Sequence, residues 1–230
     1  MTFYRIGPAW IFFLLVMSGL RAAAPADAVW RLMPIGDSIT EGGSTFVNYR
    51  PLLAEKLRAA GFVFAFVGTR GAPPLLHEGY GGKTIEFLAN TVPAHFAETP
   101  ADIILLHAGH NHFNEEKPIP SIVEATERLI GDVRAINPRV ITLVAQVIPS
   151  GKLPKYAYIP ELNRALAKLV SRLHSNVQPV ILVDQATHFD WKTDTITDRV
   201  HPNAAGAAKM AEAWSIGLQP FLRQTQPAVR

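Results

Sequence analysis

The sequence contains no cysteine. Thiol catalysis, cysteine-ligated zinc and disulfide staples are therefore excluded together. A domain of ordinary size can be stable in an oxidising space without staples, so the absence assigns no compartment. Charge is also sparse, at 18% of 230 residues, and there is no run of basic residues. The formal net charge of +3 and the pI of about 9.3 are spread along the chain. They form no nucleic-acid footprint, and no nucleic-acid partner is expected. Internal repeats, low-complexity tracts and linkers are missing as well. With 48% hydrophobic residues, the chain has the composition of one ordinary packed domain.

Long apolar runs are confined to the start. Arg5 precedes the apolar stretch 8–20, and small residues follow, ending in Ala26-Asp27-Ala28. This order matches a charged n-region, a short apolar region and a cleavage site. The stretch is shorter than the roughly 20 residues of a membrane span. The expectation is a signal peptide over 1–28 and a single domain over 29–230, exported to the periplasm or beyond the cell. An uncleaved N-terminal anchor is the alternative. After cleavage no stable membrane association is expected, and a monomer is the expected state.

Past residue 29, two kinds of segment alternate. Short apolar runs lie at 30–35, 62–67, 102–106, 140–148 and 180–183. Their apolarity is continuous rather than alternating, which suits strands buried on both faces of a parallel sheet. Between them, helical spacing appears over 49–60, 84–97, 121–136, 159–174 and 204–222. Pro93 is expected to interrupt or bend the second helix, and Pro138 to stop the third. Five strands alternating with five helices predict an α/β fold, a three-layer α/β/α sandwich with a five-stranded parallel sheet. Active sites of such sheets form beyond the carboxyl ends of the strands.

Four segments carry chemistry. Gly36-Asp37-Ser38 ends the first strand, where a serine on the turn can point into a crevice. The bland alternative is an N-cap serine. Asp198 stands three residues before His201, close enough to fix one imidazole nitrogen and leave the other as a base. A serine needs such a partner, because its hydroxyl is a poor nucleophile at neutral pH. Gly109-His110-Asn111 follows the third strand and offers an amide donor for an oxyanion. Residues 78–84 form a glycine-rich loop entering a helix, whose N–H groups suit anionic oxygens.

Together, in this order, these blocks resemble the SGNH (GDSL) hydrolase family from Ile35 to about Met210. The resemblance implies a flavodoxin-like fold and a serine esterase without a cofactor or metal. Ser38 would be the nucleophile, His201 the base and Asp198 its orienting acid. The oxyanion hole would comprise the backbone N–H groups of Ser38 and Gly82 with the Asn111 side chain, Gly81 being the neighbouring alternative. Asp37 and His110 are expected to support the site or line its substrate rim. Glu41-Gly42-Gly43, Tyr49-Arg50-Pro51, Phe66-Val67-Gly68 and His77-Glu78-Gly79 look like carbohydrate esterase family 3. This implies a small-molecule or polysaccharide ester substrate, with acetyl on a sugar hydroxyl. One departure is clear: the family usually has Asp after the block's Asn, and here His112 stands there.

Parts of the sequence fit other classes. His107, His110 and His112 raise a metal-dependent hydrolase, although their side chains should diverge around the turn. Gly82-Lys83-Thr84 ends like a phosphate loop but lacks its first glycine and an adjoining strand, so nucleotide binding is rejected. A non-catalytic glycan binder is the third class, and a lipid-directed or aryl esterase of the same family is the alternative substrate reading. Residues 73–76 and 153–159 could line an apolar cleft for it.

Overall fold

A computed structural model describes residues 29–222. The expected signal peptide, 1–28, lies outside the described residues. The elements run β1 (Trp30–Gly36), α1 (Ser38–Glu41), α2 (Tyr49–Ala59), β2 (Phe64–Phe66), β3 (Glu78–Gly79), α3 (Ile85–Glu98) and β4 (Ile103–His107). After a 3-10 turn at Asn114–Glu116 come α4 (Ile119–Ile136), β5 (Ile141–Ala145), α5 (Ile159–Leu173), β6 (Val180–Val183), α6 (Trp191–Asp194) and α7 (Ala204–Leu222).

The strands line up as β2-β1-β4-β5-β6, with every pairing parallel. The continuous apolar runs have the expected cause, since both faces are covered. Successive residues of β4 go to opposite cores: Ile104 and Leu106 pack with α3, α4 and α5 residues such as Leu88, Leu129 and Leu166. Ile103 and Leu105 pack with Leu53 and Leu57 of α2 and Trp214 of α7. At about 25 cal/mol per Å² of apolar surface, these two cores supply the main drive for folding.

Three expectations need correction. The sheet has a sixth strand, the two-residue β3, which pairs with Ile35 and Gly36 beyond the point where β2 leaves β1. The expected strand 140–148 stops at Ala145. There the backbone turns to side-chain partners: the Asn163 amide exchanges bonds of 2.7 and 2.9 Å with Val147. Pro93 does not interrupt α3, which runs through it. Leu88, Ala89, Val92 and Phe96 bury one continuous face, and that packing outweighs one lost backbone bond.

Setting β3 aside, the strand order is that of flavodoxin-like sheets. The chain moves from β1 outward to β2, then back across to β4. The crevice between the ends of β1 and β4 is therefore the topological switch point, where such sheets hold their ligands.

Candidate active site

Gly36 closes β1 because a side chain has no room there: a Cβ would stand 2.3 Å from Thr40 Oγ1 and 2.4 Å from the His107 carbonyl. Asp37 then caps α1, its carboxylate accepting the Ile39 N–H at 3.0 Å. Asp37, not Ser38, is the N-cap, so the serine hydroxyl is free for other work. Ser38 is the first residue of α1, and its N–H has no intrahelical acceptor.

From the far end of the chain, a second turn reaches Ser38. Ser38 Oγ lies 2.8 Å from His201 Nε2, and His201 Nδ1 lies 2.6 Å from Asp198 Oδ2. The other Asp198 oxygen accepts the Val200 and His201 N–H groups at 2.9 and 3.0 Å. Burial pushes the Asp198 carboxyl up, but these hydrogen bonds and the His201 imidazole outweigh it and hold it below the ordinary range. An ionised Asp198 only accepts, which places the imidazole proton on Nδ1 and leaves Nε2 to receive the serine proton. Phe46 stacks on the imidazole, ring centres 4.3 Å apart and planes 24° from parallel. The turn is anchored by Asn203, whose Nδ2 donates to the Thr193 and Thr195 carbonyls at 2.8 and 3.2 Å while its Oδ1 accepts the Gly206 N–H that opens α7.

The glycine loop lies beside Ser38, where a Cβ on Gly81 would stand 3.7 Å from the serine Cβ. The Gly81 N–H donates to Glu41 Oε2 at 2.7 Å and is thereby committed. The other Glu41 oxygen pairs with Arg70, which also donates to the Gly79 carbonyl at 2.7 Å and lies 4.5 Å over the Tyr80 ring. A Cβ on Gly81 would stand 2.4 Å from that carboxylate, so the loop sits flush against α1. Gly82 adopts a left-handed backbone, φ 72°, and its N–H has no acceptor among the described residues. Of the two glycines, Gly82 is the one with a donor to spare. Asn111, also left-handed at φ 69°, donates one amide hydrogen to the Lys83 carbonyl at 2.9 Å. This ties it to the same loop and leaves its second amide hydrogen available.

Behind Ser38 the surroundings are dry. Asp37 is fully buried, and burial pushes its carboxyl up to about 6, against the pull of the Ile39 N–H and the His201 charge. His110 is 2% exposed, so it lies under the floor and not on the substrate rim where the sequence reading allowed it. Its Nδ1 stands 3.8 Å from Asp37 Oδ2, and neither ring nitrogen has a hydrogen-bond partner. Burial drives His110 well below the ordinary histidine range, helped by His107 and His201, and brings His107 down to about 4. Both are neutral at pH 7.

The three histidines serve different partners. His107 Nε2 accepts the Ile148 N–H at 3.3 Å, His110 faces Asp37, and His112 Nε2 meets the Glu86 carboxylate at 3.0 Å. Among the described residues, no three His, Asp or Glu side chains are grouped to hold a metal ion. His112 occupies the position of the expected aspartate, yet a carboxylate is still supplied, by Glu86 of α3.

A family model supports what this geometry suggests. Residues 35–209 match the GDSL-like lipase/acylhydrolase family. The chain belongs to that family. As a GDSL-like enzyme it is a carboxylic ester hydrolase, an esterase or acylhydrolase. A carbohydrate esterase family 3 protein from Talaromyces cellulolyticus is 27% identical, with a TM-score of 0.77 covering 85% of this chain and 99% of that one. An acetyl esterase solved as a serine-to-alanine variant with an acetate ion is 26% identical, with a TM-score of 0.77 over 85% and 99%. A multidomain esterase of Ruminococcus flavefaciens is 26% identical over 98% of this chain, which spans about a third, 34%, of that protein.

Sequence reasoning missed four contributors to this GDSL-like site. Glu41 and Arg70 hold the glycine loop, Phe46 covers the imidazole, and Tyr156, 5% exposed, makes a T-shaped contact with His110, ring centres 5.2 Å apart. The Glu41-Gly42-Gly43 block was visible only as a likeness. Nothing local announces that residue 41 will meet residue 81.

Proposed function

We propose that the chain is an exported esterase that removes O-acetyl groups from carbohydrates by way of Ser38, His201 and Asp198. The observation that carries this reading is the hydrogen-bonded chain Ser38 Oγ–His201 Nε2 and His201 Nδ1–Asp198 Oδ2, at 2.8 and 2.6 Å. In this reading His201 takes the Ser38 proton as Oγ attacks the ester carbonyl. The oxyanion is met by the Ser38 and Gly82 N–H groups and the Asn111 amide. Collapse releases the sugar alcohol, which takes the proton from His201. Water, activated by the same imidazole, then frees acetate from the acyl-enzyme.

Two observations favour a sugar-borne acetyl over a long acyl chain. The His201 and Asp198 side chains are 23% and 37% exposed, so the site is open enough for an acetyl group carried on a polymer. The segments that could have lined a lipid cleft are largely spent elsewhere: Leu75 packs against the α2/α7 core, while Tyr156, Tyr158 and Ile159 pack under α5. Leu153, 62% exposed, remains outside with Pro73, Pro74, Pro154 and Ala157. The carbohydrate and acetyl esterases that resemble the chain support the same substrate class. Export rests on the leader over 1–28. Among the described residues no helix is long and apolar enough to cross a membrane.

The test is hydrolysis of p-nitrophenyl esters from acetyl to decanoyl, beside acetylated xylan. Activity confined to acetyl esters, falling at least about 10⁴-fold in Ser38→Ala, is expected. Serine-dependent activity that rises with chain length would move the substrate to lipids. Activity equal in the variant would refute the mechanism.

A further inference from the structure

The turn that carries Asp198 also walls a second cavity, of about 520 Å³. That volume lies within the range of small-ligand sites, roughly 300–1,000 Å³. Its lining is Trp191, Lys192, Thr195, Ile196, Thr197 and Arg199. It adjoins the triad through the backbone: the Ile196 N–H donates to the His201 carbonyl at 2.9 Å, and Thr195 pairs with Pro202.

The cavity is built on a firm base. A Cβ on Gly151 would stand 2.2 Å from the Trp191 ring, so the indole lies flush on that loop. Arg199 holds a left-handed backbone, φ 61°, and its carbonyl accepts the Gly151 N–H and the Ser150 hydroxyl, each at 2.9 Å. The Lys192 ammonium and Arg199 guanidinium lie over the indole, 5.8 and 5.9 Å from its centre. Neither cation has a carboxylate within ion-pair distance among the described residues. Of the nearby acids, Asp194 takes Lys209 and Asp198 holds His201, while Asp190 caps α6 by accepting the Lys192 backbone N–H.

An aromatic plate with two cations at it, neither paired with a carboxylate among the described residues, matches one class of ligand well. The C–H face of a pyranose stacks on the indole, and a carboxylate on that sugar takes the guanidinium as a planar fork and the ammonium as a point charge. A neutral sugar would use the plate and leave both cations idle. We propose that this cavity is a subsite for a uronic acid, so that the enzyme prefers acetylated glycans carrying a carboxylate sugar near the acetylated one. The proposal rests on the carbohydrate-esterase reading and deepens it.

Two measurements separate the proposal from that reading. The first compares kcat/KM on acetylated xylo-oligosaccharides with and without glucuronic acid branches. Wild type is expected to favour the acidic substrate by about tenfold, and Lys192→Gln combined with Arg199→Gln to bring the ratio near one. No preference in wild type, or a preference kept in the variant, overturns the subsite and leaves the esterase standing. The second is calorimetric binding of a deacetylated, glucuronic acid-bearing oligosaccharide to Ser38→Ala. Binding that weakens with salt and is lost when the two cations are removed supports the subsite even if no serine-dependent hydrolysis is found. Equal binding of the neutral oligosaccharide overturns it.

Discussion

Asp37 and Asp198 both stand within a few residues of the proposed catalytic atoms, and their surroundings push them in opposite directions. Asp37 lies on the dry side of Ser38, fully buried, with one oxygen unpartnered and only the Ile39 N–H on the other. Its carboxyl is pushed up to about 6. Asp198 lies on the wet side, with two backbone N–H groups and an imidazole on its two oxygens, and its carboxyl is held down. Burial raises both, and hydrogen bonds to the charged form decide the outcome. One aspartate is thus equipped to stay ionised and steady a cationic imidazole, and the other is equipped to shape a turn.

Removing charge from the wet side should have the largest effect. Asp198→Asn keeps the shape but lets the imidazole take the wrong tautomer, and kcat for p-nitrophenyl acetate should fall by about 10²–10⁴ with little change in KM. A loss below tenfold would mean that the backbone alone orients His201. Next comes the oxyanion side. Asn111→Ala should lower kcat by about 10²–10³, and a wild-type rate would remove Asn111 from that role.

The dry side should answer in stability. Asp37 binds its proton more tightly in the folded chain, so its contribution is fully present below the ordinary 3.8 and is lost as pH rises through about 6. At about 1.4 kcal/mol per pH unit between those values, the folded state gives up roughly 3 kcal/mol by pH 8. Asp37→Asn, which can still cap Ile39, should therefore raise the urea midpoint at pH 8 and leave it unchanged near pH 3. An equal change at both pH values would show that the effect is packing and not charge. The contrast sharpens further if Asp198→Asn fails to stabilise at either pH.

Much of this site was legible because its parts are local. Gly36-Asp37-Ser38 and Asp198-Arg199-Val200-His201 are each one turn, and the spacing within a turn already sets which groups meet. The layer order was legible as well, since continuous apolar runs such as 102–106 mean strands covered on both faces. The interruption allowed for at Pro93 has the opposite character, since α3 runs through it. A local rule was overruled by a buried helix face that only packing reveals. β5 is shorter than its apolar run because, past the Gln146 N–H on the Val183 carbonyl, an amide from α5, Asn163, takes both backbone bonds of Val147. For His110 the sequence left open support or rim, and its burial removes the rim, because adjacent residues on a tight turn point in different directions.

The alternation of strands and helices, the strand-end position of the serine and the pairing of an acid with a histidine three residues on are all readable along the chain. These follow from periodicity and from turns, in which the interacting groups are covalent neighbours. The tertiary structure alone decided that residues 38 and 201 meet, that Glu41 claims Gly81 and leaves Gly82 free, and which aspartate is dry. Those outcomes depend on contacts between segments 40 to 163 residues apart and on where water is excluded. Burial and long-range contact are properties of the folded whole, and no single turn carries them.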